Sequence, residues 1–277
     1  MVLNNFIIDE HIKNALKEDI GSSDITTDAL ADENSIIKAE MNTREDGILC
    51  GIDIIERVFK ILSPDIKVRK FFKDGDKIKK GDTLAVIEGS ARAVLTGERT
   101  ALNYIQRLSG IASETYKFQE AIGNAPARIT DTRKTTPGFR LFEKYAVQTG
   151  GARLHRFNLS DCAMIKDNHI ALAGSIKEAV RKVREKLSHA HKIEVECDTI
   201  EQVKEALEAQ ADIIMLDNMP CSLMRECVKL INGKAVIEAS GNVNINNVKE
   251  TAQTGVNVIS TSAVNSKAKP LDIGLDM

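Results

Sequence analysis

The chain has 277 residues, of which 43% are hydrophobic and 28% are charged, and 38 Lys and Arg residues nearly balance 40 Asp and Glu residues. This composition excludes the disordered, collagen-like and low-complexity classes, and the length allows one large domain or a large and a small one. The near-neutral balance argues against binding of nucleic acid or an anionic membrane through the whole surface.

The cysteines indicate a reducing environment. There are five of them, with no close CxxC pair, so neither a disulfide framework nor a zinc site is indicated. The first residues lack a basic region followed by an apolar run, and no apolar stretch approaches the roughly 20 residues that span a bilayer. We therefore expect a cytoplasmic protein without a targeting segment or a membrane anchor.

The first part of the chain has the pattern of a small α+β domain. Residues 36–90 are short alternating segments interrupted by glycines, which is typical of antiparallel strands joined by tight turns. Apolar residues at helical spacing predict helices over Ile52–Leu62 and Ala91–Leu108. We expect this domain to cover residues 1–109.

After Pro126, apolar runs alternate with amphipathic stretches. The runs are ARITDTRK, CAMIKDN, KIEVECD, ADIIMLDN, AVIEASGN and VNVISTSA, and the stretches are Ser175–Leu187, Ile200–Ala209, Cys221–Ile231 and Ile245–Gly255. This alternation predicts a parallel sheet covered by helices. Because no glycine-rich nucleotide fingerprint follows a strand, a closed α/β barrel over residues 110–277 is favoured over a doubly wound sheet. The C-terminal tail could return to the first domain.

Polar residues follow or end these six apolar runs. They are Asp131, Arg133 and Lys134; Lys166, Asp167 and Asn168; Glu194 and Glu196; Asp217 and Asn218; Ser240, Gly241 and Asn242; and Ser260, Thr261 and Ser262. In a barrel of parallel strands all these ends meet at one mouth, where catalytic residues collect. The pattern therefore predicts one site rather than six.

Between Arg133 and Lys166, seven basic side chains outnumber two acidic ones, and His155 lies among them. Cations at the ends of buried strands need a counterion, which we interpret as a strongly anionic ligand held by arginine forks and lysine charges. Three of the basic residues lie in or beside a helix-like segment and also fit a solvated basic face: Arg140, Lys144 and Arg153.

Glu196 and Asp217, on neighbouring predicted strands, supply negative charges opposite to the positive charges of the basic residues. Paired carboxylates beside a cation-lined pocket suggest Mg²⁺ bridging to phosphate oxygens, although two salt-bridging carboxylates would give the same pattern. The fifth and sixth strand ends are small and hydroxyl-rich, as in the phosphate cradles of this fold, although plain loops look similar. The combined inference is a phosphorylated sugar, a metal and an anionic second substrate.

From about Glu18 onward, strings of the sequence resemble the quinolinate phosphoribosyltransferase family: EDIGSSDITTDAL, GERTALNYIQRLSGIAS, TDTRKTTPGFRLFEKYAV, GGARLHRFNLSDCAMIKDNHI, KIEVECDT, MLDNM and IEASGN. The resemblance implies transfer of phosphoribosyl from phosphoribosyl pyrophosphate to quinolinate, with release of pyrophosphate and CO₂, to give nicotinate mononucleotide for NAD synthesis. It implies an N-terminal α/β sandwich domain followed by an incomplete, six- or seven-stranded TIM-like barrel. It also implies Mg²⁺ and a homodimer or dimer-based hexamer with shared active sites.

The resemblance also implies roles for individual residues. The quinolinate pocket would contain Arg99 from a neighbouring subunit together with Arg133, Lys134, His155, Arg156 and Lys166. Glu196 and Asp217 would face the ribose and the Mg²⁺, and Ser240 and Gly241 would lie by the 5′-phosphate. The last strand end would add Ser260, Thr261 and Ser262. The catalytic residues among these would be Lys134, Lys166, Glu196 and Asp217.

Three positions depart from the family pattern. Ala152 and Asn242 stand where glycines are common, and Thr261–Ala263 stands where a VGA-like turn is common, so donor binding is the least secure expectation. Two other functions stay open. Lys166 could be the Schiff-base lysine of an aldolase, or the same fold could use another acceptor such as nicotinate.

Overall fold

The computed structural model describes residues 3–277. The elements as far as residue 122 are α1 (Asn5–Ile20), α2 (Ile25–Leu30), β1 (Ile36–Thr43), β2 (Gly47–Ile48), α3 (Ile52–Leu62), β3 (Lys67–Lys70), β4 (Lys77–Ile78), β5 (Thr83–Ser90) and α4 (Ala91–Ile122). The later elements are β6 (Arg128–Thr130), α5 (Arg140–Thr149), β7 (Ala163–Ile165), α6 (Asp167–Ala173), α7 (Ile176–Lys186), β8 (Ile193–Cys197), α8 (Ile200–Glu208), β9 (Ile213–Asp217), α9 (Cys221–Ile231), β10 (Val236–Ser240), α10 (Val248–Ala252), β11 (Val258–Ser260), α11 (Ala263–Ser266) and β12 (Ile273–Asp276).

The chain packs into two compact units, neither of which is one continuous segment. The first unit contains the chain up to Tyr116 together with Leu141–Gly151 and Ala268–Met277. The second unit contains Lys117–Arg140 and Ala152–Lys267. The last strand, β12, and all of the short helix α5 except its first residue, Arg140, therefore belong to the first unit.

The first unit is built on an antiparallel sheet with the strand order β12-β1-β5-β3, and β2 and β4 form a separate pair. Ala39 and Met41, two residues apart in β1, are buried on one face, as the period of a strand requires. Helix α3 has the predicted bounds and buries its apolar stripe, including Ile55 and Phe59.

Helix α4 is longer than the sequence pattern predicts, because it continues through Gly110 to Ile122. The predicted end at Leu108 was wrong. A Cβ at position 110 would collide with the carbonyl oxygen of Lys269, so this glycine permits a close approach of the C-terminal segment rather than ending the helix.

The second unit contains six parallel strands in the order β6-β11-β10-β9-β8-β7, which confirms the predicted parallel α/β architecture. Each of the six predicted apolar runs contains one of these strands. Within the described residues, the ladder does not close between the edge strands β6 and β7, so the expectation of a fully closed barrel was wrong and the incomplete barrel is the better description.

Helices α7, α8 and α9 follow the predicted amphipathic stretches, but α10 is shorter than predicted. The amide of Asn244 donates to Asn247 Oδ1 at 2.7 Å, and the amide of Asn246 donates to Asn244 Oδ1 at 3.0 Å. Asparagine side chains compete in this way with helical hydrogen bonds, which explains why the helix begins only at Val248.

The register of the parallel strands brings their carboxyl ends to the same edge of the sheet. Ser240 lies beside Asp217, and Ser260 lies beside Thr130. The residues that follow these ends are thus neighbours in space although they are far apart in sequence. Between residues 3 and 277, none of the helices combines the length and apolar character that a membrane span requires.

Candidate active site

A cavity of about 530 Å³ opens at the carboxyl ends of the strands in the second unit. Its lining includes every residue to which the resemblance gives a role except Arg99, Thr261 and Ser262. Four other polar residues that were predicted at the strand ends are not part of the lining: Asp131, Asp167, Asn168 and Glu194. The lining residues are Thr132, Arg133, Lys134, His155, Arg156, Met164, Lys166, Glu196, Met215, Asp217, Asn218, Ser240, Gly241, Asn242 and Ser260. The six strand ends therefore form one pocket, with cations and carboxylates in the same lining.

The cations of this pocket are crowded. Burial, together with the guanidinium groups of Arg156 and Arg140, lowers the pKa of Arg133 from its usual value. Repulsion of this kind is relieved when an anion binds among the cations. The loop after β6 thus has the electrostatics of an anion site.

Arg140 supports this loop from outside the lined cavity. Its guanidinium donates to Thr135 Oγ1 at 3.0 Å, to the carbonyl oxygen of Phe157 at 3.0 Å and to that of Arg133 at 3.3 Å. It therefore ties the loop that carries Arg133 to the loop that carries His155 and Arg156.

The other two basic residues of uncertain role lie elsewhere. Lys144 is fully buried in α5 of the first unit, and Arg153 is exposed on the second unit. Neither lines the cavity.

His155 lies against two buried glutamates. Its Nε2 is 3.3 Å from Glu238 Oε1 and 3.7 Å from Glu194 Oε2, and the two carboxylates are 4% and 0% exposed. Burial opposes the charged imidazole, but the two carboxylates outweigh it and raise the pKa of His155 to about 10. Burial, and then repulsion from Glu238, raise the pKa of Glu194, while His155 lowers it.

The backbone fixes the orientation of this imidazole. The amide of His155 donates to Asp131 Oδ1 at 2.8 Å, and the amide of Arg156 donates to His155 Nδ1 at 2.7 Å. Because Nδ1 accepts the second hydrogen bond, this bond favours the tautomer without a proton on Nδ1 and so opposes double protonation of the ring. Two negative charges at Nε2 outweigh one amide dipole, so the shift of the His155 pKa is upward.

Lys166 and Glu196 form an ion pair at the ends of β7 and β8. Lys166 Nζ is 2.7 Å from Glu196 Oε2, and the backbone amide of Lys166 donates to His169 Nδ1 at 3.0 Å at the start of α6. A Schiff-base lysine needs an amine without its proton, which a carboxylate partner disfavours. This ion pair does not favour the aldolase alternative.

The ends of β9 and β10, the next two strands of the sheet after β8, also line the cavity. Asn218 Nδ2 donates to Asp217 Oδ2 at 2.6 Å, and Asn242 Nδ2 donates to Asn218 Oδ1 at 2.9 Å. Gly241 and Asn242 have φ values of 84° and 53°, so this turn has left-handed backbone. Asparagine tolerates that conformation, which explains why Asn242 can stand at a position where a glycine is common.

The remaining predicted residues are placed as follows. Ser240 and Ser260 line the cavity. Thr261 Oγ1 donates to the carbonyl oxygen of Val243 at 2.8 Å and accepts from the amide of Ala263, so it connects two loops. Ser262 directly precedes α11, and Arg99 is exposed on α4.

Two sets of side chains could hold a metal ion. Glu196 and Asp217 offer carboxylate oxygens to the cavity, which suits Mg²⁺ because this ion takes one or two carboxylates together with substrate phosphates. Within residues 3–277, there is one cluster of three possible ligand residues whose ligand atoms lie within 4.8 Å of one another, and it consists of His155, Glu194 and Glu238. The imidazole is close enough to both carboxylates for ion pairs, but Glu194 Oε1 and Oε2 and Glu238 Oε1 are buried without a hydrogen-bond partner.

The sequence did not single out Glu238 as a site residue, and it placed Asn218 at a strand end in the predicted mouth without giving it a role. A signal for Glu238 existed, because an acidic residue inside an apolar buried strand needs a partner, but the sequence does not say which one. Glu194 and Glu196 are two residues apart on β8 and so lie on the same face of the strand, with the first deeper than the second.

Two family models match this chain. The model described as quinolinate phosphoribosyl transferase, N-terminal domain, matches residues 24–109, and the corresponding C-terminal domain model matches residues 111–276. Together they cover most of the chain.

Curated proteins and solved structures are similar over the same length. A probable nicotinate-nucleotide pyrophosphorylase [carboxylating] of Bacillus subtilis is 42% identical over 275 residues, covering 99% of this chain and 95% of its own. The structure of NadC from Streptococcus pyogenes superposes with a TM-score of 0.97 at 40% identity, covering 100% of this chain and 98% of its own. The nicotinate-nucleotide pyrophosphorylase from Ehrlichia chaffeensis gives a TM-score of 0.94 at 44% identity, covering 100% and 99%.

Proposed function

The chain belongs to the quinolinate phosphoribosyltransferase family, and from this premise we propose how its cavity carries out the family reaction. The reaction transfers phosphoribosyl from phosphoribosyl pyrophosphate to quinolinate with decarboxylation. Its products are nicotinate mononucleotide, pyrophosphate and CO₂, and it serves NAD biosynthesis. The chain is therefore a phosphoribosyltransferase enzyme.

One observation carries the proposal for the site. Arg133, Arg156 and Lys166 line the same cavity as Glu196 and Asp217. Quinolinate has two adjacent carboxylates, so it needs several cations, and a ribosyl centre that becomes positive needs a carboxylate nearby. A pocket with both charges in one lining suits a reaction between these two substrates.

The cationic side binds and orients quinolinate. Arg133 and Arg156 hold its carboxylates, with Lys134, His155 and Lys166 adding charge, and this orientation directs the ring nitrogen at the anomeric carbon. After the new bond forms, the positive ring nitrogen stabilises the electron pair that the departing CO₂ leaves on the adjacent ring carbon, and this carbon then takes up a proton from solvent. No protein nucleophile is needed for either step.

The carboxylate side binds the donor. Glu196 and Asp217 face the ribose and stabilise the positive charge that develops on it, while Ser240 and Gly241 lie by the 5′-phosphate, with Ser260, Thr261 and Ser262 supporting the same end. Lys134 and Lys166 complete the set of catalytic residues. Mg²⁺ held by Glu196 and Asp217 would neutralise charge on the leaving pyrophosphate.

The test of the function supplies quinolinate, phosphoribosyl pyrophosphate and Mg²⁺. We expect CO₂ and nicotinate mononucleotide in equal amounts, and no turnover when nicotinate replaces quinolinate. Turnover of nicotinate without CO₂ release would identify the other acceptor class. Trapping of a carbonyl substrate on Lys166 by borohydride would support the aldolase class instead.

We further propose that the active site is shared between two copies of the chain, in a homodimer or a dimer-based hexamer. Support comes from the exposure of Arg99 on α4, where a second copy can be reached. Mixing an Arg99→Ala variant with an Arg133→Ala variant should restore activity, because some mixed dimers then contain one intact site. If the mixtures stay as inactive as the separate variants, the shared site is excluded.

A cytoplasmic location is the last part of the proposal. All five cysteines are free, and three of them are buried. Free thiols are usual where the environment is reducing. Fractionation of the cells that make the protein tests this location, and recovery outside the cytoplasm would contradict it.

A further inference from the structure

Two uncharged side chains hold Asp217 in place. Asn218 Nδ2 donates to Asp217 Oδ2 at 2.6 Å, and Asn242 Nδ2 donates to Asn218 Oδ1 at 2.9 Å. We propose that Asn242 and Asn218 are positioning residues that aim the Asp217 carboxylate at the phosphoribosyl donor. This inference rests on the role of Asp217 proposed above.

The backbone at both positions selects asparagine. Asn218 has a φ of 54° and Asn242 a φ of 53°, and both lie in the left-handed region. Glycine and asparagine adopt this region most readily, and other side chains are strained there. Of these two, asparagine alone also provides an amide group, so these positions combine a backbone requirement with a hydrogen-bonding one.

Asn218 joins the ends of two strands. Its backbone amide donates to the carbonyl oxygen of Ser240 on β10 at 3.0 Å, while its side chain reaches Asp217 on β9. A Cβ on Gly241 would collide with the Asn218 side chain, so the turn after β10 leaves just enough space for that amide. The amide is therefore confined between β9 and β10.

Asn242 is itself fixed by the turn that precedes α10. Its carbonyl oxygen accepts hydrogen bonds from Asn244 Nδ2 and Asn247 Nδ2, both at 3.1 Å. Asn242 is therefore held in place at one end of this series of hydrogen bonds. Through its bond to Asn218 it fixes the direction of the Asp217 carboxylate.

This arrangement has a specific consequence for Asp217. One carboxylate oxygen accepts from Asn218, which leaves Oδ1 for a ribose hydroxyl or a cation. Removing the amides would change the direction of the carboxylate but not its charge. We therefore expect a loss of donor binding with little effect on quinolinate, whose cations lie on other strand ends.

The experiment uses glycine variants, because glycine keeps the left-handed backbone. Calorimetric titration with phosphoribosyl pyrophosphate and Mg²⁺ measures donor binding without turnover. Asn242→Gly should weaken donor binding by about two- to tenfold, as expected for one hydrogen bond. Asn218→Gly should weaken it more, and the double variant should match Asn218→Gly, since both changes break the same chain of bonds.

The matched control is Asn232→Gly. Asn232 is an exposed asparagine with a φ of 44° at the end of α9, and it does not line the cavity. This variant should bind the donor as the wild type does. Asn242→Asp gives a second comparison, because aspartate tolerates the same backbone but its carboxylate cannot donate to Asn218 Oδ1.

Three results would overturn the proposal. They are unchanged donor binding in Asn242→Gly and Asn242→Asp, additive effects in the double variant, and a KM for quinolinate that rises as much as the donor dissociation constant. If the wild type itself did not bind the donor, the proposed role of the cavity would fall as well.

Discussion

The charge of His155, which lines the cavity, is set by two buried glutamates that are not part of the cavity lining. The contacts with Glu194 and Glu238 raise its pKa to about 10, although burial opposes this. The backbone amide of Arg156 donates to Nδ1 of the same ring, while the Arg156 guanidinium donates to the carbonyl oxygen of Cys162. At neutral pH the two carboxylates therefore favour a positively charged imidazole, in which a proton on Nδ1 replaces the hydrogen bond accepted from the Arg156 amide. A count of charges with neutral histidine does not include this charge.

Replacing Glu238 with glutamine tests this charge. We expect the pKa of His155 to fall by about 1 to 3 pH units, because one of its two opposite charges is lost. An NMR titration of the imidazole measures it. Glu250→Gln, at an exposed position on α10, is the control and should leave the titration unchanged.

The same shift predicts how stability depends on pH. A raised pKa means that the folded protein holds a proton that the unfolded chain has lost above about pH 6.5. The stabilisation is complete below that pH and disappears as the pH rises through about 10. In the Glu238→Gln variant this stabilisation should disappear at a lower pH. Identical curves of unfolding free energy against pH for the variant and the wild type would contradict this account.

The cations of the site could be predicted from the sequence because they follow apolar strands directly. Arg133, Lys134 and Lys166 needed only the position of a strand end. The partners of His155 could not be predicted, because Glu238 is about 80 residues away in sequence and only the folded sheet brings them together. The link between Asn218 and Asn242 likewise depends on backbone angles that no local pattern reveals.

At the scale of elements, Arg140 connects two loops that carry residues proposed to bind quinolinate. Arg140→Lys should raise the KM for quinolinate by about tenfold, because lysine cannot donate to three acceptors in a plane. The KM for phosphoribosyl pyrophosphate should change by less than about twofold, because the substitution removes no hydrogen bond from the residues proposed to bind this donor. Steady-state kinetics measures both. The control is Arg153→Lys, at an exposed position shortly after α5. An equal rise in the KM for quinolinate in this variant would refute the role of Arg140.

Helix α4 shows how tertiary packing overrides a local signal. Gly110 would favour a helix end, but the segment around Lys269 packs against it and the helix continues. Helix α3 was predictable to the residue because its apolar spacing and its packing agree. Helix α10 was not, because asparagine side chains occupy its first predicted turn.

Gly110→Ala tests this close approach. The added methyl group should cost about 2 to 3 kcal/mol through overpacking. The roughly 1 kcal/mol that alanine gains over glycine in a helix offsets this only in part, so the protein should be destabilised. Urea unfolding measures the difference. Asn103→Ala on the exposed face of α4 should not destabilise the protein, and a stable Gly110→Ala variant would show that the C-terminal segment can move away.

At the scale of the whole molecule, each unit combines distant parts of the sequence. Strand β12 pairs with β1, so Met41 lies opposite Leu275, and the buried side chain of Ile273 belongs to the core of the first unit. The sequence allowed for a return of the C-terminal tail to the first domain, but the change of sequence pattern near residue 110 does not show which strand the tail pairs with.

Removal of residues 273–277 tests the contribution of β12. We expect the unfolding free energy to fall by at least about 2 kcal/mol, because the burial of Ile273 and a strand pairing are lost. Thermal and urea unfolding measure the change. Removal of Met277 alone, which is 84% exposed, should have no effect, and equal stability of both shortened chains would contradict the prediction.

The pairing of β1 with β12 also orders events at the ribosome. The first unit begins to emerge early, but its sheet stays incomplete until translation has reached β12, more than 200 residues after β1. The strands of the second unit are all synthesised before that point. During synthesis the nascent β1 therefore has one unpaired edge, which makes it the segment where a chaperone would be most useful.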